Sequence, residues 1–203
     1  MRLEIAIIVI MNKINQLSIW WDEARSGAVK AFGHIHHELY PLLYQYLLKI
    51  LKDEDVCQDV LQELFIKMWE RRERFGPIGN VRVYFFKAAR SMALNYIKNH
   101  KSHDPLLDSH QYIDMVFSHE EIMVGIENNN EVNYRLSIAL NSLPNRQKEM
   151  LFLKYFDDCD YAQIAEVTGI RYQSVVNHVH RAITQLRSEL RTDHQIIACR
   201  VAV

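Results

Sequence analysis

The stretch Leu143–Leu190, LPNRQKEMLFLKYFDDCDYAQIAEVTGIRYQSVVNHVHRAITQLRSEL, decides how the rest of the chain is read. Within it, Ile164, Ala165, Gly169, Ile170 and Val175 have the spacing of two helices joined by a tight turn. Ala165 is small where the helices must approach, and Gly169 can take the positive φ that such a turn requires. Ile164, Ile170 and Val175 are placed to seal the core between them. The second helix then turns Tyr172, Gln173, Asn177, His178 and Arg181 outward. Side chains of these types reach base edges and phosphates in a major groove, so duplex DNA is the first partner to consider. A plain helical hairpin is the rival reading of the same pattern.

Outward from that stretch, the whole chain reads as all-α. Its 203 residues allow one domain or two small ones, about half are apolar, and glycine and proline are scarce. Helical periodicity runs through most segments, and strand alternation is nearly absent. Three cysteines, Cys57, Cys159 and Cys199, lie far apart with no CxxC pair. That pattern argues against a disulfide framework or a zinc site and fits a reducing cytoplasm. The apolar run LEIAIIVIM spans about nine residues, against roughly 20 for a membrane span. It lacks the small-residue cleavage site of a signal peptide, and a mis-called start, with translation from Met11, is a further hypothesis for residues 1–10.

Net charge is only −1, which looks unsuited to binding DNA, but the charges are segregated. Between Arg82 and Lys101 there are five basic residues and no acid; between Asp104 and Glu131 there are seven acids and no Lys or Arg. Between Arg171 and Arg191 four arginines face one glutamate. Local fields rather than the total decide whether phosphate is attracted. The expected organisation is an N-terminal extension (1–17), a helical domain (18–101), an acidic linker (102–131), a second helical domain (132–192) and a tail (193–203).

In the first domain, helices are expected from Ser18 to Gly33 and from His34 to Leu51. The next, KDEDVCQDVLQELFIKMWERRERF, repeats Val56, Val60, Leu64, Phe65, Met68 and Trp69 at amphipathic spacing. Acids at its start and arginines near its end suit the helix dipole. Asp59, Gln62 and Glu63 cluster on one side of it, either as an ordinary solvated face or as a docking face for another protein's helices. Two glycines and a proline between Phe75 and Asn80 end that helix. Another begins near Val81, where Tyr84, Phe85, Phe86 and Tyr96 interleave with Arg82, Lys87, Arg90 and Lys98. Rings stack on unpaired bases while cations hold the backbone, a combination that stabilises melted DNA. The competing reading makes Phe85, Ala88, Ala89, Met92 and Phe86 a core stripe.

These residues resemble a known family, the extracytoplasmic-function group of sigma-70 type RNA polymerase sigma factors. The likeness covers both blocks in order, roughly Glu23 to Leu190. DVCQDVLQELFIKMWE is similar to the family's core-polymerase-binding region, YFFKAARSMALNYIKNHK to the region engaging the −10 element, and the Leu143–Leu190 stretch to the domain engaging the −35 element. The resemblance implies an all-α protein of two small helical domains, sigma region 2 and region 4. It implies binding to core RNA polymerase and promoter DNA, no cofactor, no catalysis of its own, and a cytoplasmic location. It also implies an anti-sigma partner, often membrane-bound, that would wedge between or wrap the two domains.

Residue by residue, it puts Asp59, Gln62, Glu63, Phe65 and Trp69 in the polymerase-docking segment, with Phe65 and Trp69 equally suited to the core. Lys87, Arg90, Ser91, Asn95, Tyr96 and Lys98 fall in the −10 segment. Arg171, Tyr172, Gln173, Ser174, Asn177, His178 and Arg181 fall in the −35 reader, and the Phe75–Asn80 loop falls where the family captures a flipped base. The chain departs from the family at Phe85, where a Trp-Leu is usual, at Ser91 (Asn), at Asn95 (Asp) and at Arg171 (Ser). Arg171 cannot accept the N–H bond of a helix cap, and Ser174 offers partial compensation. Two rivals remain: a helix–turn–helix regulator that acts without polymerase, and a metalloprotein using His34, His36 and His37, whose adjacent positions point apart on a helix.

Overall fold

Among the described residues, backbone devices at six places separate one helix from the next. A computed structural model describes residues 16–100, 113–118 and 130–200, with side chains described only for 133–190 in the last stretch. The N-terminal run, most of the acidic linker and the Cys199 side chain lie outside the described residues. The helices are α1 (16–25), α2 (Val29–Leu51), α3 (Glu54–Glu70), α4 (Val81–His100), α5 (Asn130–Ser142), α6 (Asn145–Tyr155), α7 (Tyr161–Thr168) and α8 (Tyr172–Arg200). They fall into two compact units, the first built on α1–α4 and the second principally on α5–α8.

The first break is not where the sequence pattern put it. The helix expected to end at Gly33 stops at residue 25, and the turn falls at Gly27, whose φ is +97°. Gly33 sits inside α2, because the buried series Ala31, Ile35, Leu39, Leu43, Tyr46, Leu47 and Ile50 runs on at helical spacing. At the other end of α2, Lys52 adopts φ 60° and donates its N–H to the Leu48 carbonyl. Asp53 then caps α3, accepting the Val56 N–H at 3.1 Å, with Glu54 and Asp55 in the first turn and Lys67 in the last. Such a cap contributes about 1 kcal/mol, and the charges complement the helix dipole. Asn80 does the same for α4, accepting the Val83 N–H at 3.1 Å.

Helix α2 packs on both α3 and α4, and α3 packs on α4. The core between them holds Trp21, Ile35, Leu39, Leu43, Tyr46, Leu47, Leu61, Leu64, Phe85 and Phe86. Cys57 is buried beside them as a free thiol, and burial pushes its pKa up to about 11. It is therefore protonated and unreactive at neutral pH. Two rings of the histidine cluster lie against other rings: His34 stacks on Trp20, and His36 lies 5.0 Å from Tyr40 and 4.5 Å from Phe65.

In the second unit, Pro144 starts α6, as the Leu143-Pro144 break predicts. Asp160 and Gln163 form a capping box that starts α7, with reciprocal bonds of 2.8 and 2.9 Å. Gly169 ends α7 at φ 72°, donating to the Ala165 carbonyl. Ile164 and Val175 are buried as expected, joined by Val167, Val179 and Ala182, while Ala165 and Ile170 are only half-buried. The last helix runs past Arg191, where the sequence pattern ends it, to Arg200.

Residues 113–118 also depart from the linker expectation. Ile113, Met115 and Phe117 are buried, while Asp114 and Val116 are exposed, so this short extended strap alternates like a strand. Asn141 of α5 holds it by both amide groups: its Oδ1 accepts the Phe117 N–H at 2.9 Å, and its Nδ2 donates to the Phe117 carbonyl at 3.0 Å. Phe117 packs against Phe156 (5.6 Å between centroids) and Phe152, and Asp114 lies 3.7 Å from the buried Lys148 ammonium.

The two glycines that differ in φ make a paired prediction. Neither position meets a neighbouring atom within 4 Å of an added Cβ. Gly33→Ala should raise stability by about 0.5–1 kcal/mol, because it lies in a helix interior. Gly169→Ala should lower it by about 1–2 kcal/mol, because φ is positive. Urea titration of both variants measures the two signs.

Candidate nucleic-acid and partner interfaces

Three faces follow from how the helices are rotated by their buried stripes. On α3, Cys57, Val60, Leu61, Leu64, Phe65 and Met68 face the core. This leaves Asp59, Gln62 and Glu63 exposed on the far side, with Glu63 paired to Lys67. Phe65 is only 6% exposed, with Phe32, His36, Tyr40 and Phe85 around its ring. It is a core residue, the second of the two placements open to it in the sequence. Trp69 is half-buried, its ring 5.2 Å from Phe32 and covered by the Arg72 guanidinium at 4.1 Å. Arg72 also donates to the Trp69 carbonyl at 2.8 Å. The sequence reading missed Ile66. It is 47% exposed and shares the face of Asp59, Gln62 and Glu63 at helical spacing, and an apolar residue inside a polar stripe is the mark that could have found it.

On α4 the buried series is Val81, Val83, Phe85, Phe86, Ala89, Arg90, Ala93 and Ile97. Arg90 is 6% exposed, so it does not stand with the other predicted −10 residues. Its position follows from the period: it lies four residues after Phe86, on the stripe that faces the core. Lys87, Ser91, Asn95 and Lys98 form one exposed face. Tyr96 is half-buried and stacks on His100 at 4.0 Å, the His100 Nδ1 lying 2.9 Å from the Tyr96 carbonyl. Arg82 is half-buried, its guanidinium 5.6 Å from the Phe86 ring. At the start of α4 the loop from Phe75 to Asn80 is anchored from below. Phe75 contacts the buried Trp21 at 5.9 Å and the half-buried Tyr84 at 5.6 Å.

On α8, Arg171, Tyr172, Gln173, Asn177 and Arg181 are exposed, Ser174 and His178 are half-buried, and Val175, Val179 and Ala182 point inward. The helix begins with the Arg171 carbonyl accepting the Ser174 and Val175 N–H groups. Gln173 donates its amide to the Asn177 Oδ1 at 3.3 Å. That bond uses the nitrogen of one amide and the oxygen of the other, whereas bidentate readout of an adenine edge uses both ends of a single amide. Burial, then the Arg146 and Arg181 charges, hold the His178 imidazole below the usual histidine pKa. His178 is therefore neutral near pH 7 and offers a hydrogen bond rather than a charge.

Among the described residues, no cluster of His, Cys, Asp and Glu is arranged to hold a metal ion, and no helix is long and apolar enough to cross a membrane. The family profile of Sigma-70 region 2 matches residues 35–103, and that of Sigma-70 region 4 matches residues 135–186. The ECF RNA polymerase sigma factor SigW of Bacillus subtilis is 23% identical over 180 residues, which is 83% of this chain and 94% of SigW. The RNA polymerase sigma factor SigV of the same organism is 24% identical over 75% of this chain and 84% of its own. CnrH, solved in complex with the cytosolic domain of CnrY, covers 88% of this chain and 99% of its own at a TM-score of 0.60 and 18% identity. The sigma factor RpoE of Bartonella quintana, solved with the anti-sigma factor NepR, covers 81% of this chain and 99% of its own at 0.55 and 18%. These two share the helical fold. Two consecutive regions match in family order across more than half of the sequence, beside the three faces described above. The chain belongs to the extracytoplasmic-function group of sigma-70 type RNA polymerase sigma factors.

Proposed function

We propose that this protein binds core RNA polymerase, directs it to promoters carrying its own −10 and −35 elements, and assists their melting. The observation that carries the reading is the pairing of a region 2 match with a region 4 match in one chain, in that order. The protein supplies recognition and no bond chemistry; RNA synthesis belongs to the polymerase, which places the work in the cytoplasm.

Within this reading, Asp59, Gln62, Glu63 and the added Ile66 form the polymerase-docking face. Trp69 and Phe65 support it, Phe65 from the core by fixing the rotation of α3. Lys87, Ser91, Asn95 and Lys98 meet the −10 DNA, with Tyr96 at the edge of that face. Arg90, buried on the core side of α4, stands apart from that face. On α8, Gln173 and Asn177 read base edges, and Arg171, Tyr172 and Arg181 meet phosphates. Ser174 and His178 line the rim of the same surface. The sigma factor RpoE solved with the anti-sigma factor NepR, beside CnrH solved with the cytosolic domain of CnrY, favours an anti-sigma partner for this chain as well.

A helix–turn–helix regulator acting alone is the second reading, favoured only by α7 and α8 taken in isolation. The two differ in what core polymerase changes. A gel shift on promoter DNA should give weak binding by the protein alone and a specific complex with core enzyme. Tight specific binding without core would reverse the assignment. Gln62→Ala with Glu63→Ala should reduce polymerase pull-down while leaving thermal unfolding within about 0.5 kcal/mol, since both sites are exposed. Undiminished pull-down removes the docking face. Asn177→Ala should lower transcription from the cognate promoter by the equivalent of about 1–3 kcal/mol. Equal output from every −35 variant, before and after the change, removes Asn177 from the reader.

A further inference from the structure

The strap at residues 113–118 lies in a segment whose composition reads as linker, yet it is held to the second unit by specific contacts. Asn141 clamps the Phe117 peptide at 2.9 and 3.0 Å, in the way one strand holds another. Ile113, Met115 and Phe117 are each no more than 2% exposed. Lys148, itself buried, draws Asp114 to 3.7 Å. Burying three large apolar side chains stabilises far more than a flexible tether would need, and a backbone clamped through both its N–H and its carbonyl is not a passing contact. The strap is therefore part of the second unit, and the connection to that unit ends at Ile113 rather than at Asn130.

We propose that this docking fixes the working length of the connection between the two DNA-binding units, and so narrows the range of −10 to −35 spacings the protein accepts. The inference rests on the promoter-directed reading above. With the strap docked, residues 101–112 join His100 to Ile113, a contour of at most about 45 Å; undocked, the path from His100 to Asn130 allows about 100 Å. Each base pair added between the elements moves the second site by about 3.4 Å and turns it by about 35°. A short connection resists that displacement, whereas a long one absorbs it. Effective concentration also falls roughly as the −3/2 power of tether length, about three-fold for this change. Asn141 and Phe117 are thus positioning residues for promoter geometry and touch no DNA.

The test uses the full chain with core polymerase and a promoter series whose spacer varies by single base pairs, read by run-off transcription. Ten Gly/Ser residues are inserted either after Lys101, ahead of the strap, or after Asn128, behind it. The first insertion should flatten the spacer profile, lowering the ratio of output at the best spacer to output two base pairs away by about two-fold. The second should leave the unmodified profile, because both its flanks are fixed to the same unit. Asn141→Ala with Phe117→Ala, added to the second insertion, should flatten it too. The proposal is overturned if the two insertions act alike, whether both flatten the profile or neither does. If the unmodified chain gives no promoter-dependent transcript from any spacer, it is the promoter reading itself that fails.

Discussion

The buried stripe of each helix fixes its rotation about its own axis, and every face offered to DNA or polymerase depends on that setting. On α4 the stripe is Phe85, Phe86, Ala89, Ala93 and Ile97; on α3 it is Val60, Leu61, Leu64, Phe65 and Met68. Each large side chain removed from water contributes about 1.5–3 kcal/mol, whereas an exposed lysine or asparagine is worth a few tenths to the fold. The core therefore wins any conflict over which residues point outward. Lys87, Ser91, Asn95 and Lys98 share a face because Phe86 and Ala93 cannot leave theirs. A core substitution that rotated α4 by one position would carry all four away together, with no change to any residue that meets a base.

The same coupling explains which parts of the site could be read from sequence. Where periodicity and residue type agree, as at Asp59, Gln62 and Glu63 or at Gln173 and Asn177, the exposed face is legible without coordinates. Arg90 is where they conflict: its charge suggests a phosphate contact, while its register four residues after Phe86 places it inward, and register prevailed. The breaks at 75–80, 157–160 and Gly169 were legible because glycine, proline or aspartate interrupts the apolar period there. Gly27 was not, since Gly33 offers the same residue type nearby and only the run of buried positions from Ala31 to Ile50 tells them apart. The strap was hidden for another reason. Three alternating apolar residues are too short a series to stand out among seven acids, and the partner that gives them meaning, Asn141, lies 24 residues away.

Charge in this protein is sparse on the faces that would meet DNA. The exposed face of α4 proposed for the −10 element carries two lysines, and the α8 face carries Arg171 and Arg181 with a neutral His178. Few phosphates can be neutralised by so few cations, so non-specific affinity and its salt dependence should both be small. Such a surface gains little from DNA met at random. It gains when a larger body holds it beside its element and converts a weak encounter into an intramolecular one. Low net charge is thus consistent with a subunit that acts through polymerase, where a solitary repressor would need more arginine.

Lys148 shows how the strap and the second unit depend on each other. Its side chain is 94% buried, and a buried cation without a counter-charge costs several kcal/mol. The carboxylate 3.7 Å away is Asp114, which the sequence supplies from outside the helices altogether. The pair is not an efficient source of stability, since 59% of the Asp114 side chain remains in water and the separation is long for a hydrogen bond. Its effect is directional: the charge on α6 favours an acid at the residue after Ile113 and disfavours a strap shifted by one, which would also turn Phe117 away from Phe152 and Phe156. Asn141 selects the same register through the Phe117 peptide. Two independent contacts thus agree on one alignment of a segment with no regular secondary structure of its own, and that agreement holds an otherwise linker-like sequence in place.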